Sequence, residues 1–102
     1  NSIQEYVESE GFSIVRELVG HGIGRQLHRT PQIPNFSHPA TMDLNVELKE
    51  GMCLAIEPMV NMGSRHIKTD SDGWTIRTKD GNASAHFEHS ILITKFQPRI
   101  LT

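Results

Sequence analysis

Four side chains in this chain of 102 residues combine reactive chemistry with a position beside a turn or at a strand end: His21, His28, Glu57 and Glu88. The two histidines bracket a glycine-studded turn in GHGIGRQLHRTPQIP, where Gly22 and Gly24 let the backbone approach closely beside His21. Glu57 follows the apolar run MCLAI and precedes Pro58, a place where an unpartnered carboxylate is costly and the proline keeps the backbone extended. Glu88 repeats the situation in AHFEHSILIT, between Phe87 and His89. One imidazole and two carboxylates at strand ends form a donor set suited to a divalent transition metal. Spacing alone leaves salt bridges and solvent-facing carboxylates as alternatives, because no short motif such as H-E-x-x-H fixes the geometry. His28 stays open between second ligand, substrate-binding group and exposed loop histidine. No G-K-[ST] follows the glycines, which excludes a phosphate-binding P-loop.

These residues need elements to position them. SIQEYVESEG has Ser2 three residues before Glu5, apolar side chains at helical intervals and Gly11 as a stop, and so predicts a short amphipathic helix. FSIVRELV reads as a strand leading into the glycine turn. Prolines 31, 34 and 39 predict an irregular ordered loop from Thr30 to Asn45. Met52 to Ile56 reads as a strand buried on both faces, entered by a turn at Glu50 and Gly51. Short strands are expected at His66 to Lys68 and Trp74 to Thr78, with turns at Asp72-Gly73 and Asp80-Gly81, and a last strand from Ala85 to Thr94. One helix followed by mostly antiparallel strands is an α+β pattern. Cys53 in its apolar strand reads as a small buried side chain rather than a nucleophile. Trp74 reads as a core or sheet-face residue or as a pocket wall.

The length fits a single segment, 1–102, with a modest core. Ten basic against twelve acidic residues give a net charge of −2, with no basic footprint for nucleic acid. No apolar run approaches the roughly 20 residues of a membrane span. The single cysteine forms no internal disulfide, which agrees with a cytoplasmic setting. Asn1 in first place reads as a processing point or as an internal position of a longer protein.

Taken together and in order, GHGIGRQLH, MCLAIEPMVN and DGWTIRTKDGNASAHFEHSILIT resemble the C-terminal part of the type I methionine aminopeptidases, of the pita-bread (creatinase/aminopeptidase) fold. The resemblance covers nearly the whole chain. It implies an α+β fold that is one half of a pita-bread domain, related to a missing half by a pseudo-twofold axis. It implies metal ligation by His21, Glu57 and Glu88, with Glu88 bridging two divalent ions (Mn, Fe, Co or Zn) in a complete enzyme. His28 matches the histidine that contacts the scissile peptide, Glu57 the residue that passes a proton to the leaving amine, and Leu27 and Trp74 the wall of the methionine pocket. Leu27 stands where many relatives have phenylalanine, and Arg29 replaces the acidic residue common after this histidine. Two aspartate ligands on the N-terminal half have no counterpart here, so the resemblance implies removal of N-terminal methionine from nascent polypeptides only with that half present. It implies at best a weakened mononuclear site in this chain alone. A non-catalytic pita-bread module binding peptide or protein is the alternative, and a purely structural fragment is a third. Self-association through the uncovered sheet is a further expectation.

Overall fold

The computed structural model describes residues 2–39 and 45–102. The helix α1 spans Ser2–Ser9 and turns Ile3, Gln4 and Val7 inward on one stripe, with Gln4 bonded to Glu8 one turn on. It ends because Gly11, at φ 82°, lets its own N–H reach the Glu8 carbonyl and the Phe12 N–H reach that of Val7. This pair of bonds is a Schellman cap, and only glycine adopts that backbone without strain.

Among the described residues ten strands follow: β1 (Ser13–Ile14), β2 (Gly20–Ile23), β3 (Arg29–Ile33), β4 (Cys53–Ile56), β5 (Met59–Asn61), β6 (Ile67–Thr69), β7 (Ile76–Thr78), β8 (Ser84–His86), β9 (His89–Leu92) and β10 (Arg99–Ile100). All pairings are antiparallel. A five-stranded sheet runs β10-β9-β4-β2-β3, a three-stranded sheet runs β1-β5-β8, and β6 with β7 makes a separate hairpin. Ile14, Val15, Leu54 and Ala55 are fully buried. Leu54 and Ala55 are adjacent and so point to opposite faces of β4, which makes that strand buried on both sides.

Several expectations are corrected. The strand expected over FSIVRELV is confined to Ser13–Ile14. One further bond, from Val15 N–H to the Met59 carbonyl, precedes the turn in which the Arg16 guanidinium lies over the Phe36 ring. The stretch from Thr30 expected as loop lies instead in β3, where Pro31 is tolerated because β3 is an edge strand whose register with β2 shifts here, leaving Pro31 out of the paired positions. The remainder of that loop is irregular over 34–38, and its stretch 40–44 lies outside the described residues. The single last strand is two, β8 and β9, which belong to different sheets.

That division matters for the site. β4 and β5 are likewise one run of chain divided between the two sheets, with Glu57 and Pro58 at the break. Ile56 pairs with His89 on one side of the break and Met59 with His86 on the other. The register is therefore continuous, and it sets Glu57 across from Glu88 and Pro58 across from Phe87, whose N–H reaches the Pro58 carbonyl at 3.4 Å. Among the described residues no helix is long and apolar enough to cross a membrane.

Candidate metal centre

His21 enters the site from β2, paired with Ala55 two residues before Glu57. Period-two alternation then places His21 and Glu57 on one face of the sheet. The approach of β2 to its neighbours depends on glycine. A β-carbon on Gly20 would strike the Ala55 carbonyl oxygen, and one on Gly22 would strike that of Thr30. The glycines beside His21 thus serve close strand packing.

One donor atom each from His21, Glu57 and Glu88 lie within 4.8 Å of one another. The His21 Nε2 is 3.3 Å from Glu57 Oε1, and both side chains are only 14% exposed. The His21 Nδ1 lies 2.9 Å from the Gly22 carbonyl, which can only accept, so Nδ1 carries the proton and Nε2 is turned to the carboxylates. Glu88 is exposed and makes no hydrogen bond or ion pair among the described residues. A protonated His21 would neutralise Glu57 but leave Glu88 facing it. Like charges directly opposite on a sheet repel, whereas a divalent ion between them uses the free Nε2 and both carboxylates at once. The donor set therefore fits a divalent metal.

The structure also brings His28 to this place: its ring centroid is 4.3 Å from that of His21, tilted by 47°. Leu27 and Trp74 are largely uncovered, at 66% and 86% exposed. Trp74 stands in the β6–β7 turn, its N–H held by the Asp72 carboxylate at 2.9 Å. That carboxylate also accepts from the Thr75 hydroxyl and N–H, and these bonds, the hydroxyl foremost, hold Asp72 below the ordinary aspartate range. Cys53 is half-buried and free. One residue at the site escaped the sequence reading: His86, whose Nε2 is 3.6 Å from Glu57 Oε2. Its signal was its place two residues before Glu88, hence on the same face of the run.

Histidine and paired carboxylates converging across antiparallel strands form a candidate site for a divalent metal. The sequence pattern of metallopeptidase family M24 matches residues 1–95, and the chain belongs to that family. It is 55% identical over its full length to a methionine aminopeptidase of Clostridium perfringens and 56% identical to methionine aminopeptidase 1 of Bacillus subtilis, covering 40% of each. The crystal structure of methionine aminopeptidase from Thermotoga maritima superposes with a TM-score of 0.90 at 55% identity, over 98% of this chain and 39% of that one. The fold is accordingly the α+β pita-bread type, and the chain spans about 40% of the length of the curated relatives it matches, as a C-terminal portion of them.

Proposed function

We propose that this chain, as a single segment, forms the metal-bearing C-terminal wall of a type I methionine aminopeptidase, which removes N-terminal methionine from nascent polypeptides. The observation that carries this reading is the convergence of His21, Glu57 and Glu88 donor atoms within 4.8 Å. These three would hold a divalent ion, Mn, Fe, Co or Zn, with Glu88 open toward a second position completed by the N-terminal half of the fold. When bound, the metal supplies Lewis acidity toward the scissile carbonyl and lowers the pKa of a water. The chain's own residues do the rest. Glu57, itself one of the three donors and mostly buried, takes a proton from the attacking water and returns it to the leaving amine. His28, beside His21, orients the peptide group. Leu27 and Trp74 supply apolar surface for the methionine side chain, and their exposure here agrees with a pocket whose other wall lies on the N-terminal half.

The test is release of free methionine from a Met-Ala-Ser peptide with Mn²⁺ or Co²⁺. It is run on the chain alone and on the chain joined to the N-terminal part of the Bacillus subtilis relative, each beside a Glu88→Ala control. Activity of the joined protein, lost in Glu88→Ala and absent from the chain alone, is expected. Metal binding without hydrolysis in the joined protein would favour the peptide-binding module instead.

A further inference from the structure

We propose that His86 is a positioning residue for Glu57, donating a hydrogen bond to Oε2 so that Oε1 stays aimed at the position shared with His21. This inference rests on the proposed metal site and extends it by one residue. Glu57 lies between two imidazoles, with Oε1 3.3 Å from His21 and Oε2 3.6 Å from His86. The two oxygens are thus addressed separately. The His86 ring comes from β8, where it pairs with Met59, and the continuous register puts it on the same face as Glu57 and Glu88. His86 is not in the group of donors gathered within 4.8 Å, and it approaches Glu57 through the oxygen other than the one nearest His21.

At 3.6 Å the contact is just longer than a hydrogen bond, and a rotation moving the atoms a few tenths of an ångström closes it. No other side-chain bond of His86 competes among the described residues. A carboxylate facing a second carboxylate has reason to turn away. Holding one oxygen from behind removes that freedom and leaves the other directed at the ion. Partners behind a ligand are typically worth about 10- to 100-fold in metal affinity.

The experiment measures Mn²⁺ affinity by calorimetry and the visible absorption of the Co²⁺ form for wild type, His86→Leu, His86→Gln and Glu57→Gln. It uses the chain and, in parallel, its fusion to the N-terminal part of the Bacillus subtilis relative. His86 is 44% exposed on a short strand, and circular dichroism checks that each variant retains the wild-type fold. His86→Leu should weaken Mn²⁺ binding about tenfold and change the Co²⁺ spectrum, while His86→Gln, which keeps a donor, should restore both. The proposal is overturned if His86→Leu binds as wild type with an unchanged spectrum, or if His86→Gln is as weak as His86→Leu. In those cases loss of binding in Glu57→Gln would leave the metal site itself standing. Absence of Mn²⁺ and Co²⁺ binding in the wild-type fusion would overturn the metal site and this inference together.

Discussion

Replacing Glu88 by glutamine should stabilise the metal-free protein while sharply reducing its response to metal. Glu57 and Glu88 face each other in register, with donor oxygens no more than 4.8 Å apart. Two unit charges at 4.8 Å repel by about 0.9 kcal/mol in a water-like surrounding and by about 3.5 kcal/mol at an effective dielectric of 20. Glu88 is exposed, so the expected gain in Glu88→Gln lies near the lower figure, about 1 kcal/mol. For a domain of this size that is a rise in melting midpoint of about 4–8 °C. The assay is thermal unfolding by circular dichroism at pH 8, above the ordinary imidazole range, so that the carboxylate pair dominates the local charge. Mn²⁺ at a hundredfold excess over its dissociation constant should then stabilise wild type by about 2.7 kcal/mol and the variant by far less. The order of stabilities should therefore reverse on adding metal. A variant less stable than wild type without metal, or an equal Mn²⁺ shift in both proteins, would refute the electrostatic reasoning.

Two further outcomes follow from local geometry. Gly22→Ala should lower stability by about 1–3 kcal/mol, because the new β-carbon meets the Thr30 carbonyl and forces β2 from β3; a thermal melt checks it, and an unchanged midpoint would contradict the packing. Asp72 is held below its ordinary range by the Thr75 hydroxyl first and then by the Thr75 and Trp74 N–H groups, so it binds its proton less readily folded than unfolded. Its contribution is complete above the ordinary aspartate value and lost as pH falls through the depressed folded value. Trp74 fluorescence should accordingly change only on the acid side of the ordinary aspartate range, and Asp72→Ala should lack that transition.

Local signals were legible where a backbone demand selects a residue type. Gly11, Gly73 and Gly81 all take positive φ at the positions read as a helix stop and turns. β4 was legible because both of its faces are covered, which leaves an unbroken apolar run. The strand expected from Trp74 starts only at Ile76, since the N–H groups of Trp74 and Thr75 are taken by Asp72. β3 was hidden by Pro31, whose cost depends on whether a strand is at an edge, and that is a property of the sheet. The break at Phe87 and Glu88 was hidden for a related reason. A run that changes sheets without changing register keeps its pattern of apolar residues, so AHFEHSILIT reads as one strand. The residue types of the candidate site were visible, but the facing of Glu57 and Glu88 was not, because it follows from which strands pair. His86 was passed over for the same reason, being close to Glu57 only through the pairing of β8 with β5.

The burial of the three donors is uneven, and the unevenness bears on what the chain can do. The His21 and Glu57 side chains are 14% exposed, each shielded by strands of this chain, whereas Glu88 opens to solvent. A metal held here would be enclosed from the His21 side and accessible from the Glu88 side. Affinity rises with the number of ligands that are held in place before binding, so three donors with one unconstrained bind more weakly than a closed set. The same opening leaves lone pairs of Glu88 available to a second ion, as the proposed bridging role would require. Large apolar side chains are also uncovered, Leu27, Trp74 and Phe87 among them. In the proposed assignment one additional body of structure answers both needs, by covering the apolar surface and bringing ligands to the open side of Glu88. Stability and metal affinity should therefore rise together when the N-terminal part is joined, because the same contact supplies both.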